Sequence, residues 1–528
     1  MNSNVKILET VLLAIVLFIN SAAQIQNIRI DGGWVSNPEE VSIAINPLNT
    51  DVLVAGSNPW YSYQSRDAGM TWTYKTMNNP VFGSGGDPCI VFDELGNVYY
   101  GQLSEKPVNY GLDRIVVRKS TDNGYNWDVG TGIGYNLPKQ QDKEWLAVDL
   151  TQSPYRGNIY VTWTEFDNYG SLDPNDSSRI RFSRSTDRGE TFSDAITISD
   201  RCGDAIDDGT TTEGAVPTVG PNGEIYVSWA GPEGIMFDKS LDGGITWGKD
   251  VFVSDNYGGW RLFIWGIYRC NGFPVTMCDI SNSPYRGNIY ICWTDKRNGV
   301  YNTDIFLSRS TDGGNTWSSA LKVNDDSSDR NQFFPWMTVD PVTGYLWGIF
   351  YDKRNTVGMA TDVYVVRSTD GGQSFENFQI SESSFIPTQN IFFGDYTNIA
   401  AFDGKVYPIW MRLHEKELSI WTAPIYDSTS IVGVNNESFQ PTFHYLYQNY
   451  PNPFNPTTMI SYQLANQEYV ILKIFDILGN EIETLVNEYK NAGVHEIGFD
   501  ASNLSSGIYL AKIDAGSFHE SKKMLLLK

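Results

Sequence analysis

Histidine is scarce in this chain, so any chemistry must be done by carboxylates, arginines and tyrosines. Three of the four histidines, His444, His495 and His519, sit near the C-terminus, and only His414 precedes them. That supply argues against a Ser-His-Asp triad or a multi-histidine metal site. No HExxH, P-loop or dinucleotide-binding glycine motif stands out. Two matching runs draw attention instead: Asp295-Lys296-Arg297-Asn298 and Asp352-Lys353-Arg354-Asn355, with Arg412 at a similar place further on. Arg297, Arg354 and Arg412 suit a ligand carboxylate, which a guanidinium grips as a fork. Glu213, Asp352 and Tyr351 are candidates for nucleophile, acid or base, and glycoside hydrolysis uses carboxylates in pairs. Asp295, Glu144 and Asp395 are further candidates for ligand binding. The competing reading makes the Asp-Lys-Arg runs ion pairs between neighbouring repeats, because a catalytic site is not normally duplicated.

These residues hang on a repeat. The octet Ser-x-Asp-x-Gly-x-(small polar)-aromatic occurs six times, beginning at Ser65, Ser120, Ser185, Ser240, Ser310 and Ser368. Its aspartates, Asp67, Asp122, Asp187, Asp242, Asp312 and Asp370, can accept hydrogen bonds from their own turns. The glycine two places on permits a positive φ, and the closing aromatic starts the next strand. The octet is thus a hairpin staple, and its aspartates are expected to be structural. Upstream of each staple lies a strand, a turn and a second strand ending in an aromatic, as in Leu146–Asp149 with Asn158–Trp163. Ser153–Tyr160 (SPYRGNIY) recurs unchanged at Ser283–Tyr290. The strand pair appears once more at Asn398–Phe402 and Lys405–Met411, without a staple. Fixed-period similarity of this kind predicts a repeat architecture.

The octets resemble those of the Asp-box, or BNR-repeat, β-propellers, the superfamily that includes the sialidases. The resemblance implies an all-β propeller over residues 24–426. Seven blades are expected, with the strand at Ile25–Ile30 completing the last; six is the alternative. In such a fold the loops leading into each blade, which carry Asp87, Asp142, Glu144, Glu213, Arg330 and Asp395, share a face with the ends of the second strands. The segment from Glu213 to Gly223 loosely resembles the sialidase glutamate segment. The sialidase Arg-Ile-Pro motif is absent, since Arg29-Ile30-Asp31 and Arg114-Ile115-Val116 lack the proline.

A polar linker is expected over residues 427–446, after which the composition changes. The YPNPFNP run at 450–456, FDILGNE at 475–481, SSGIY at 505–509 and a basic-apolar terminus follow. Residues 447–528 are therefore expected to form a small β-sandwich, and they resemble the type A C-terminal sorting domain of the type IX secretion system found in Bacteroidetes and their relatives. That implies the secretion machinery as a partner. At the other end Lys6, the apolar run Val11–Ile19 and Ser21-Ala22-Ala23 read as a signal peptide over residues 1–23.

A net charge of −24 argues against nucleic-acid and anionic-membrane partners. No later stretch reaches the length of a membrane helix. The expected product is secreted or held at the outer-membrane surface. Five scattered cysteines make no disulfide framework, although Cys202 and Cys270, in connections leading into consecutive repeats, are expected to pair. Acidic loops at 173–176 and 204–208 offer oxygen ligands for Ca²⁺, the one cofactor considered, against the alternative of plain solvated loops. Two functions stay open: a module that binds extracellular glycans or glycoproteins, with the aromatic loop Trp260–Tyr268 gripping a ligand or packing between blades, or a sialidase-like glycoside hydrolase.

Overall fold

The structure, a computed structural model, describes residues 25–33, 35–105, 111–206, 208–259, 261–299, 301–356, 359–414, 416–427, 444–446, 448–449 and 452–528. The expected signal peptide and nearly all of the expected linker lie outside these residues. The chain divides into two compact units, Met1–Ser430 and Ile431–Lys528.

Among its described residues the first unit contains seven antiparallel sheets, each built on a path of four strands. Their innermost strands are Val41–Ile45, Gly86–Phe92, Gln140–Val148, Glu213–Val219, Val275–Cys278, Gln332–Val339 and Asn398–Phe402. Each innermost strand packs against the next, and the last packs against the first. This is a β-propeller. The final sheet takes its outermost strand, Ile28–Arg29, from the N-terminal end of the chain, with Ile28 opposite Thr422. The second strands, such as Ile159–Phe166 and Ile289–Asp295, are buried along their whole length. A blade has neighbours on both faces, so these strands are buried throughout rather than alternately, their few polar residues such as Thr162, Glu165 and Asp295 included. Trp163, Trp229, Trp293 and Trp410 occupy matching places on them, essentially without exposure.

The octets are staples at atomic detail. Asp312 Oδ1 accepts bonds from Ser310 Oγ (2.8 Å) and from the Thr316 amide (3.0 Å), while its Oδ2 accepts Thr316 Oγ1 (2.6 Å). The Gly314 amide donates to Ser310 Oγ at 2.9 Å. Bonds from Thr316 and Ser310 hold the Asp312 carboxyl below the usual carboxylate range. Gly314 has φ +81°, and a Cβ there would lie 2.3 Å from the Phe237 ring of the preceding blade. Gly244 meets Phe182 in the same way, and Gly69 meets Tyr407 across the ring closure. Each staple therefore docks its blade onto the one before. The repeated SPYRGNIY segment adds a contact in the other direction, with Tyr155 against Gly243 and Tyr285 against Gly371.

The second unit is a β-sandwich. One sheet orders the strands Tyr445–Leu446, Thr457–Leu464 and Gly493–Asp500; the other orders Glu481–Lys490, Glu468–Asp476, Gly507–Ala515 and Phe518–Leu526. Burial alternates along Gly507–Ala515, as one solvated face requires. Leu472, Ile474, Phe499, Ile513 and Met524 belong to its core. Among the described residues no helix is long and apolar enough to cross a membrane.

Candidate functional site

Four inner strands begin with a shift of register: between Gly86 and Cys89, Asp142 and Trp145, Glu213 and Val216, and Phe333 and Trp336. Each shift contains a residue at positive φ, namely Asp87 (53°), Lys143 (54°), Gly214 (74°) and Phe334 (51°); Glu40 (50°) stands just before the first inner strand. Bulges re-aim side chains, and a non-glycine residue held in this region costs about 1–3 kcal/mol, a strain that collects at functional sites. Here the effect is to bring charges from separate blades together.

Lys143 is the hub. Its Nζ lies 2.6 Å from Asp395 Oδ2, 3.3 Å from Asp87 Oδ2 and 3.6 Å from Glu40 Oε1. Asp395 also receives Arg269, through Nε at 2.8 Å and through Nη2. Asn58 links Glu40 to the Asp87 amide. Glu40, Asp87, Lys143 and Asp395 are all buried. Burial opposes the charge on Lys143, yet Asp395, Asp87 and Glu40 outweigh it and raise its pKa further. Burial likewise opposes ionisation of Asp87 and Asp395, but Lys143 outweighs it and both pKa values fall. Glu40 goes the other way: burial and then Asp87 raise its pKa well above the usual value. At neutral pH two anions, Asp87 and Asp395, thus face two cations, Lys143 and Arg269. Glu144 adds a buried carboxyl whose two oxygens have no hydrogen-bond partner among the described residues, and burial followed by Asp87 raises its pKa well above the usual carboxylate range. Glu39 is pushed up to about 8 by burial and Asp87.

Directly beside the cluster, Trp145 and Trp336 meet with ring centroids 4.2 Å apart, and Tyr396 closes edge-on to Trp145 at 5.2 Å. Both tryptophans also line a central cavity of about 300 Å³ walled by the inner strands. A strap covers the cluster. It is the connection from Val251–Ser254 to Val275–Cys278, and its Leu262, Ile264 and Ile267 enter the same core as Phe333, Phe385 and Phe393. Lys353 Nζ donates to Trp265 O at 2.8 Å, and Asn271 Nδ2 donates to Asp395 O at 2.7 Å. Burial, with Arg330 nearby, pulls the Lys353 pKa down to about 8. The alternate residues Phe263, Trp265 and Tyr268 point outward and are 64%, 68% and 59% exposed.

The residues singled out in the sequence separate into two groups. Glu144 and Asp395, with Asp87, converge at the centre; Glu40, Lys143 and Arg269 complete the cluster and were missed, although the charged run Asp142-Lys143-Glu144 ahead of a buried strand was a signal. The expected catalytic set does not assemble. Tyr351 is fully buried, and its hydroxyl both donates to Met411 O (2.9 Å) and accepts from the Met411 amide (3.0 Å). Asp352, next to it on the strand and therefore on the opposite face, is buried against Gln332 and Arg354. Glu213 is buried at the bulge of the fourth inner strand. Each of the three arginines is held by its own local partners. Arg297 is held by Asp295 and lies over Phe306, with Nη2 also reaching Asp255 O. Arg354 is held by Asp352 and Asp325 over Tyr364. Arg412 donates to Ser383 and lies over Trp421.

The expected Cys202–Cys270 disulfide is not formed, and both are free thiols. Cys270 is sealed in the core at the end of the strap, whereas Cys202 is exposed. Of the acidic loops, Asp173 binds its own turn through Asn175, and Asp204 and Asp208 bind Thr210. Among the described residues no group of three or more His, Cys, Asp or Glu side chains is placed to hold a metal ion.

A model of the secretion system C-terminal sorting domain matches residues 448–527. The C-terminal unit is a secretion sorting domain. It marks the protein for export by the type IX system and implies contact with that machinery. No curated protein matches the chain in sequence. Solved structures similar to it include the Hadza microbial sialidase Hz136 (14% identity, 72% of this chain and 74% of that one, TM-score 0.41). The Penicillium chrysogenum alpha-L-arabinanase is similar at 12% identity, over 76% of this chain and 98% of that one, with TM-score 0.41. The intramolecular trans-sialidase from Ruminococcus gnavus is similar at 13% identity, over 66% and 95%, also with TM-score 0.41.

Proposed function

We propose that the exported propeller binds extracellular glycans or glycoproteins without cleaving them. One contrast carries this reading. The charged groups suited to hydrolysis are buried and neutralise one another, whereas the strap holds three aromatic side chains out in solvent. A carboxylate already 2.6 Å from a lysine has little field left for a substrate. Exposed aromatics grouped on one connection mark an interaction surface, and their flat, amphipathic rings suit the C–H faces of sugars. The acidic surface and the sorting domain fit a ligand met outside the cell.

A hydrolase reading draws on two buried carboxyls, Glu144 and Asp87, whose pKa values are driven in opposite directions, as an acid and a base of glycoside hydrolysis need. Incubating the full chain with a pooled glycan library and reading the products by mass spectrometry separates the two. Binding predicts intact glycans retained on the protein, with retention reduced about tenfold, or about 1.4 kcal/mol, by Trp265→Ala. Shortened glycans that vanish in Glu144→Gln would overturn the proposal in favour of the hydrolase.

A further inference from the structure

In the C-terminal unit, the sheet of Glu481–Lys490, Glu468–Asp476, Gly507–Ala515 and Phe518–Leu526 turns one face to the core and the other away. The outward face of a two-layer sandwich is expected to be polar. One end of this face is not. Phe475, Ile508, Leu510 and Leu525 lie on it, alternating with the core residues Ile474, Tyr509, Ala511, Met524 and Leu526. Register makes them neighbours: Phe475 is opposite Leu510, and Ile508 is opposite Leu525. The runs Ile508-Tyr509-Leu510 and Met524-Leu525-Leu526-Leu527 are thus apolar on both faces, the composition of a strand covered on both sides. Yet Ile508 and Leu510 are each 36% exposed.

The patch continues into the turn after Asp476, whose register partner is Tyr509. Asp476 Oδ1 accepts the amides of Leu478 and Asn480, both at 2.9 Å, and its Oδ2 accepts Asn480 Nδ2 at 2.8 Å. A turn bonded to itself in this way keeps its form without burying its apolar residues. Ile477 and Leu478 are 69% and 83% exposed. Beside the patch the same face becomes basic. Lys523 stands opposite Leu510, and Lys473 stands opposite Lys512. Like charges so placed repel; Glu481, 2.7 Å from Lys473, and Asp514, 3.4 Å from Lys512, offset them in part.

Contiguous exposed apolar side chains with a polar border mark a protein-binding surface. This unit is a secretion sorting domain, and a sorting signal has to be legible from outside the fold. We infer that this face is the surface by which the type IX machinery grips the protein. Its partner there is a protein surface that is apolar where it covers Phe475, Leu478, Ile508 and Leu510. The same partner carries carboxylates where it meets Lys473, Lys512 and Lys523. The inference is independent of whether the propeller binds or cleaves its ligand.

The test is export of the full chain by a bacterium with a type IX system, read by immunoblot as the fraction outside the outer membrane. Leu478→Glu and Leu510→Glu should each lower that fraction about tenfold or more, as loss of an interface anchor does. Lys523→Glu should lower it about threefold, the effect of a charge at a rim. Leu172→Glu, which alters a propeller leucine that is 81% exposed, should leave it unchanged. Thermal unfolding of the purified chains should be the same in all four variants, since each replaced side chain lies outside the cores. In whole cells, a benzophenone photocrosslinker at position 510 should attach to a component of the secretion machinery, identified by mass spectrometry. Native export of Leu478→Glu and Leu510→Glu would overturn the proposal, as would loss confined to variants that unfold at lower temperature. Crosslinks only to the chain's own propeller, to a second copy or to nothing would overturn it likewise. Unchanged export of Lys523→Glu would overturn the carboxylates assigned to the partner.

Discussion

Replacing Lys143 with methionine removes the only side chain that touches Asp87, Asp395 and Glu40 together among the described residues. Taking one partner out of a buried ion pair costs about 3–5 kcal/mol. Arg269 still faces Asp395 in the variant, so the burden falls on Asp87 and the lower end, about 3 kcal/mol, is expected at pH 7. The pH dependence is more telling. In the native cluster the Asp87 pKa is depressed, so its contribution is present above the unfolded value and lost only when acid reaches the folded one. Without Lys143, burial and the Asp395 charge outweigh the remaining Glu40 hydrogen bond, and the Asp87 pKa rises above its unfolded value. The variant then gains more stability than the native protein on acidification from pH 7 to 5, and the gap narrows by up to about 1.4 kcal/mol per pH unit. Urea unfolding followed by tryptophan fluorescence reads this cleanly, because all 16 tryptophans precede Ile431 and the sorting domain is silent. A loss below about 1 kcal/mol, or a gap equal at pH 7 and 5, would place the cluster with solvated surface pairs and refute the reasoning.

Two further outcomes follow from the packing. Gly314→Ala should destabilise the propeller by about 2–3 kcal/mol, combining a positive φ with a clash on Phe237. Gly313→Ala, with nothing within 4 Å, should cost about 1 kcal/mol or less, since Ala68, Asn123 and Arg188 already occupy that staple position at positive φ; equal losses in urea titration would show that the contact is not what selects glycine. A thiol reagent on the native protein should label Cys202 and leave Cys270 untouched until denaturant is added; labelling of neither in the native state would restore the disulfide.

What could be read from the chain was what is local in it. A staple closes within seven residues, so its serine, aspartate and glycine declare themselves wherever they occur. The cluster around Lys143 does not. Lys143 and Asp395 are 252 residues apart and meet only because the ring closes. In sequence Lys143 reads as part of a solvated run; the bulge and its positive φ turn it inward. Tyr351 and Asp352 misled for a related reason. A strand end looks like a surface in a single sheet, but a propeller blade is covered on both faces, and Tyr351 spends its hydroxyl on the next blade. In the duplicated Asp-Lys-Arg runs each arginine grips the aspartate two residues before it and also reaches the end of the preceding blade, Arg354 at Asp325 and Arg297 at Ser254 and Asp255 O. In the aromatic loop Leu262, Ile264 and Ile267 pack into the core while Phe263, Trp265 and Tyr268 face water, a division that the run of residue types alone did not show.

The origin of the last sheet has a consequence for the order of events during synthesis. Four of its strands come from residues 398–426 and the fifth from residues 28–29. Until the later segment exists, the earlier sheets form a crescent with two raw ends, and strand Ile28–Arg29 has no seat. A chain cut short anywhere before residue 422 cannot seal, however well its other blades have folded. The joint therefore ties an early strand to a late one, so the ring closes only once both ends of the propeller have been made.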